Sequence, residues 1–145
     1  ASSNHVVGAG ELEALASNGI GEMSISAVDP PRPDGLYGSA KVFVEALGRS
    51  VSEIYGLGVS AIRIGTVRTV DDPQAYVDSD DFAYVGSHDE VRERLERTWL
   101  YHDDLVLAVC EEFEASETFR VRFLTSQTEQ KFWVHTPVVW TRTAQ

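Results

Sequence analysis

The sequence predicts an α/β domain built around a sheet of parallel strands. Three observations carry this. Residues 36 to 56 place Phe43, Leu47, Val51 and Ile54 at helical spacing, widened by Ala40, Val44 and Ala46. A strand-like run, Val59 to Gly65, follows so soon that helix and strand form a βα-type unit. The opening residues, Ala1 to Gly8, read as the tail of a buried strand and the loop leaving its carboxyl end, where ligands bind in open α/β sheets. Ser3, Asn4 and His5 would then aim polar groups into a site; a plain polar loop start is the other reading of the same residues.

The remaining elements follow in order. Glu11 to Ala16 form a weak helical patch. Pro30, Pro31 and Pro33 stop any regular element before residue 34. Asp34 or Gly35 is the expected N-cap of the long helix, and Gly56 and Gly58 end it. Thr66 stands at the carboxyl end of the strand that follows. Residues 68 to 88, with Asp71, Asp72, Asp78, Asp80 and Asp81, read as a solvated acidic loop without metal-ligand spacing. Asp89 to Arg97 form a short charged helix. Asp103 and Asp104 head an apolar-periodic helix, Leu105 to Phe113, and are read as capping and dipole-complementing acids rather than catalysts. Cys110 reads as a packed small apolar side chain. Phe119 to Leu124 alternate as a strand. Lys131 to His135 and Val138 to Trp140 suggest a hairpin about Thr136-Pro137. His88, His102 and His135 lack a second ligand at zinc spacing and read as surface or packing residues.

Composition narrows the classes of function. A length of 145 residues suits one domain or a piece of one, and 43% apolar residues suffice for a core. No apolar run approaches the ~18 residues of a membrane span, and no signal-peptide pattern opens the chain. The single cysteine excludes an internal disulfide and fits a reducing compartment, so a cytoplasmic setting is expected. A formal charge of -11 argues against nucleic acid and anionic membrane as partners.

The chemistry centres on Tyr37 and Lys41. Four residues apart, they share one helix face. An ammonium beside a phenol favours the phenolate, which can exchange a proton with a substrate hydroxyl or carbonyl. Five tyrosines and two lysines in 145 residues give roughly 0.07 such pairs by chance. The pair is therefore suggestive, and its neighbours decide.

Those neighbours are Ser2 to His5 at a strand end, Arg32-Pro33-Asp34-Gly35-Leu36-Tyr37-Gly38, Arg63-Ile64-Gly65, and Arg94 to Trp99 followed by Asp103-Asp104-Leu105. Over residues 1 to 113 this constellation resembles the second half of the extended short-chain dehydrogenase/reductases, the group of NAD-dependent epimerases, dehydratases and sugar dehydrogenases, with the uronate dehydrogenases nearest. The resemblance implies a partial Rossmann-like, doubly wound parallel sheet lacking its N-terminal dinucleotide-binding half. Residues 1–126 would form that C-terminal half and 127–145 a divergent tail. It implies NAD in preference to NADP, and a sugar or sugar-acid substrate. Tyr37 would be the general base and would also contact the cofactor. Lys41 would favour its phenolate and bind the nicotinamide ribose. Ser3, placed by its distance from Gly8, would orient the reacting oxygen. Asn4 and His5 would hold other sugar hydroxyls, Arg94 would grip a uronate carboxylate, and Thr66 would stand near the nicotinamide.

Two departures temper this. No Gly-x-x-Gly-x-x-Gly turn exists to cradle a pyrophosphate: Gly8, Gly10, Gly19 and Gly21 do not form it. Residues beyond about Ser126 do not resemble the family's substrate region, and the segment between His5 and Tyr37 is longer and more irregular than the family's. The chain alone is thus expected to be inactive, requiring a homo-oligomer or a complementing chain. A nucleotide-sugar epimerase or dehydratase, and a non-catalytic interaction remnant, are the alternative readings. Two lysines against ten arginines and 23 acids also resemble the composition of cytoplasmic proteins from salt-loving archaea.

Overall fold

The computed structural model describes residues 1–16, 24–79, 87–115, 118–126 and 138–140. The described strands are β1 (Ser2–Ser3), β2 (Val59–Ile64), β3 (Phe119–Leu124) and β4 (Val138–Trp140), in the spatial order β1-β2-β3-β4. β1, β2 and β3 run parallel, with Ser2 opposite Arg63, Ser3 opposite Ile64 and Val59 opposite Phe119. β4 closes the edge antiparallel to β3, pairing Val138 with Val121. The expected parallel α/β architecture is therefore present. Of the suggested hairpin, Val138–Trp140 is a strand, and Lys131 to Pro137, His135 included, lie outside the described residues.

The helices are α1 (Gly8–Ala16), α2 (Leu36–Tyr55), α3 (Pro73–Asp78), α4 (His88–Thr98) and α5 (His102–Glu114), with a 3-10 turn at Asn4–Val6. α2 ends where expected, with Gly56 left-handed at φ 69° and its N–H on the Ser52 carbonyl. Its N-cap is Gly35, without a side-chain cap. The stretch read as a solvated acidic loop contains α3 instead. Asp72 caps it by accepting from the Gln74 and Ala75 N–H groups, and Val77 is buried against Val91, Leu95 and Trp99. Asp71 ties this segment to the next helix, accepting from the Trp99 indole and from the His102 N–H. Asp80 and Asp81 lie outside the described residues. Asp103 and Asp104 occupy the first turn of α5 but do not cap it, since the N-cap is Tyr101 and no side chain caps there. They complement the dipole only.

The greatest departure concerns α2. Phe43, Leu47 and Ile54, the expected core stripe, are 67, 51 and 67% exposed. The buried positions are Gly38, Glu45 and Ser52, on the opposite face. The reason is close approach. A Cβ on Gly38 would overlap the His5 carbonyl oxygen, and one on Gly48 would sit 3.2 Å from Val59. Ser52 donates to the Leu57 and Thr118 carbonyls. A helix with small residues on one face can lie directly on the sheet, where a stripe of large side chains would hold it away.

At the centre of that contact, Glu45 accepts from the Ser2 hydroxyl at 2.5 Å and from Arg63 Nε and Nη2 at 2.9 and 2.8 Å. Arg63 also lies over the Phe123 ring, 5.1 Å from its centroid. α5 is likewise held by ions: Glu111 and Glu112 meet Arg120 and Arg122 of β3. Val106, Leu107 and Phe113 of α5 face outward, and Cys110 is exposed rather than packed. The helix meets the sheet through Leu105 and Ala108.

Two outcomes follow. Glu45→Ala leaves Arg63 buried without its carboxylate and is expected to destabilise the fold by about 3–5 kcal/mol, read as a lower midpoint in a urea melt. At the start of α4, Glu90 accepts from the Ser87 N–H in a capping box, and that backbone hydrogen bond holds its carboxyl below the ordinary 4.5. A lowered folded-state value makes this contribution complete above about pH 4.5 and lost as pH falls through the lowered value. Amide-exchange protection in the first turn of α4 should fall accordingly in acid, and Glu90→Gln should remove that dependence.

Candidate active site

The carboxyl ends of β1 and β2 open into one cleft of about 390 Å³. Its wall contains all seven residues singled out in the sequence: Ser3, Asn4, His5, Tyr37, Lys41, Thr66 and Arg94. They come from four separate segments. The sheet brings the first and third together, since β1 pairs with the last two residues of β2.

Ser3 and Asn4 are buried. Ser3 is the N-cap of the 3-10 turn, accepting from the His5 N–H while its hydroxyl donates to Asn4 Oδ1. The turn sends His5 over the start of α2, where its ring meets the Tyr37 ring edge-on, 5.5 Å between centroids. Asp34, expected as a cap, instead contacts His5 Nδ1 at 2.5 Å. That orients the imidazole and leaves its other nitrogen for a different partner. Gly38 makes this packing possible, because it lies directly against the His5 carbonyl.

Tyr37 is 57% exposed at the cleft, so its phenol can meet a ligand. Lys41 Nζ sits 5.4 Å from the Tyr37 ring centroid and donates to the Ala1 carbonyl at 3.3 Å. The i, i+4 spacing therefore delivers the ammonium beside the phenol ring, as helix geometry requires. Thr66 leaves β2 through a bridge to Trp99, its N–H on the Thr98 carbonyl and its hydroxyl 3.0 Å from that of Thr98. Gly65 permits the approach, as a Cβ there would overlap the Thr98 carbonyl oxygen. Arg94, on α4, closes one side. It is almost buried and ion-paired through Nε to Glu11 of α1 at 2.5 Å.

Sequence reasoning missed several residues. Glu11 was read only as part of a weak helical patch. Asp34 was read as a cap. Arg68 also lines the cleft, its guanidinium lying over the Tyr76 ring and donating to the Tyr76 hydroxyl. No local pattern marks these, because each acts through a partner 8 to 83 residues away. No cluster of metal-ligating side chains occurs among the described residues.

The arrangement is a phenol flanked by an ammonium and facing donors and acceptors at sheet ends, which suits proton exchange with a hydroxylated ligand. No family model matches the chain. It is 38% identical over 87 residues to an L-arabinose 1-dehydrogenase (NAD(P)(+)) of Haloferax volcanii, a stretch covering 56% of this chain and 33% of that protein. The chain is similar to NAD(P)-dependent sugar dehydrogenases. Solved structures agree: a uronate dehydrogenase from Agrobacterium tumefaciens superposes with a TM-score of 0.63 at 25% identity, and a tyrosine-to-alanine mutant complexed with NAD with 0.65. Glucuronic acid dehydrogenase from Chromohalobacter salexigens shares the fold, with a TM-score of 0.64 at 24% identity. Each alignment to these solved structures covers 93% of this chain and 41% of the solved one. The chain thus spans a third to two-fifths of the relatives it matches. The expected partial Rossmann-like fold and the sugar-dehydrogenase resemblance are borne out at that level.

A dinucleotide fits this cleft at one end only. Tyr37, Lys41 and Thr66 would be the residues to meet a nicotinamide riboside, although the Thr66 hydroxyl is buried against that of Thr98. The Gly-x-x-Gly-x-x-Gly turn that would cradle the pyrophosphate at a helix start is not present in the sequence, and Gly8 and Gly10 at the start of α1 do not have that spacing.

The Gly38 contact is testable. Gly38→Ala must push the His5 carbonyl from α2, with an expected loss of ~1–3 kcal/mol of stability. Shifts of the His5 and Tyr37 ring resonances in NMR spectra of the variant would show the displacement, and unmoved rings would remove the packing role given to Gly38.

Proposed function

We propose that this chain carries the proton-transfer half of an NAD-dependent sugar dehydrogenase, acting at the anomeric carbon of a neutral aldose or a uronate. The observation that supports it above all is the gathering of Ser3, His5, Tyr37, Lys41, Thr66 and Arg94 in one cleft. The relatives' names supply the substrate range: L-arabinose in one, uronates in the others.

In this reading the sugar lies across the cleft with its anomeric hydroxyl at the Tyr37 phenol. Ser3 orients that oxygen, and Asn4 and His5 hold neighbouring hydroxyls. The Asp34 contact keeps the His5 ring turned to serve. Tyr37 as phenolate removes the hydroxyl proton, and Lys41 stabilises the phenolate and holds the ribose of the cofactor. NAD, when bound, accepts the hydride from the anomeric carbon, and the product is a lactone. Arg94 faces the far end of the sugar. Thr66 would stand near the nicotinamide.

The test joins binding and turnover. Calorimetric titration of NAD into the chain in molar potassium chloride should give an affinity at least tenfold weaker for Lys41→Ala. Equal affinities would sink the cofactor assignment. In the protein complete enough to turn over, Tyr37→Phe should lower kcat by roughly 10²–10⁴-fold.

A further inference from the structure

The cleft contains a specificity element that the proposed chemistry does not use. Arg94 lines the cleft, at the far end of the sugar in the proposed reading, and a guanidinium there would ordinarily suit a carboxylate, which it can grip in a bidentate pair. In this molecule the position is already answered from within. Glu11 of α1 places Oε1 2.5 Å from Arg94 Nε. Both side chains are shielded from water, at 5 and 10% exposure. Arg94 reaches the cleft wall, whereas Glu11 stands behind it, outside the lining.

We infer that Glu11 sets the substrate class of this site by neutralising Arg94, so that the cleft selects neutral aldoses over uronates. This rests on the sugar-dehydrogenase reading and deepens it. The physical argument concerns like charges. A uronate carboxylate placed on Arg94 would share one guanidinium with the Glu11 carboxylate, a few ångströms away and poorly screened at this depth. One guanidinium charge cannot satisfy two anions as well as it satisfies one. A sugar hydroxyl brings no charge. It can accept an N–H from Arg94 while the ion pair with Glu11 stays intact, and the guanidinium offers five N–H donors for such sharing. Glu11 is thus a positioning residue that acts through Arg94 and does not touch the sugar.

The element is rigidly built. Glu11 lies in α1, whose start is held by the Ala9 N–H on the Arg32 carbonyl and the Gly10 N–H on the Val7 carbonyl. Arg94 lies mid-way along α4, which is fixed by the capping box at Ser87 and by burial of Val91 and Leu95. A uronate carboxylate would compete with Glu11 for the same guanidinium.

The test compares D-galactose with D-galacturonate, which differ only at C6, where one has a hydroxymethyl group and the other a carboxylate. Dissociation constants for both are measured by ligand-observed NMR on the 145-residue chain with NAD present, in wild type and in Glu11→Gln. Glutamine keeps the size and an oxygen for Arg94 Nε but removes the charge. The inference expects wild type to bind galactose at least as tightly as galacturonate, and the galacturonate-to-galactose affinity ratio to rise at least tenfold in Glu11→Gln. A merely structural role for Glu11 would weaken both sugars together and leave the ratio unmoved, which would overturn the inference. So would a wild-type chain that binds galacturonate at least tenfold more tightly than galactose, a result that needs no variant to fold and leaves the sugar-dehydrogenase reading intact. Absence of response to either sugar in a folded, NAD-binding chain would instead overturn that reading, and the specificity inference with it.

Discussion

Glu45 holds this structure together at the point where function begins. Its carboxylate receives the Ser2 hydroxyl and two Arg63 nitrogens, so one buried group joins β1, β2 and α2. Buried ion pairs contribute little net stability compared with apolar packing, yet breaking one is costly. Their value here is geometric. Glu45 lies one helical turn after Lys41 and two after Tyr37, so the same clamp that seats the helix also sets the height of the phenol and the ammonium above the strand ends. Ser3, next along from Ser2, is placed by the same bond.

Charge pairing recurs where α5 meets the sheet and where α1 meets α4. Glu112 takes Arg120 and Arg122 for α5, and Glu11 takes Arg94 between α1 and α4. This is the use to which an acidic, arginine-bearing chain puts its few cations. The bidentate, permanently charged guanidinium can be buried against a carboxylate where lysine could not be held as well. One consequence is that apolar side chains on α2 and α5 are left on the outside, including Phe43 and Phe113. Another is that a cation which reaches the cleft is not automatically available to an anionic ligand. The carboxylate behind it has to be counted too.

The site shows how local sequence and long-range packing share the work. Spacing alone brings Lys41 beside Tyr37, because four residues make one helical turn. Sequence alone does not show that His5 meets Tyr37 edge-on or that Asp34 orients His5, since the contact depends on Gly38 letting the first turn of the chain lie against the helix. Thr66 was legible as a strand-end residue, but its hydroxyl partner, Thr98, lies 32 residues on.

The sequence by itself determined the order and type of the main elements, the Tyr37–Lys41 pair and the strand-end position of Ser3 to His5 and Thr66. These follow from periodicities of two and 3.6 and from glycine and proline punctuation, all of which are properties of neighbouring residues. Only the tertiary structure decided which face of α2 is buried. The hydrophobic stripe pointed to Phe43, Leu47 and Ile54, and the sheet took Gly38, Glu45 and Ser52, because close approach and a buried ion pair outweighed apolar area on that face. The same holds for Arg94. Its charge is written in the sequence, but whether that charge is open to a ligand depends on Glu11, 83 residues earlier, and only the packing of α1 against α4 brings the two together.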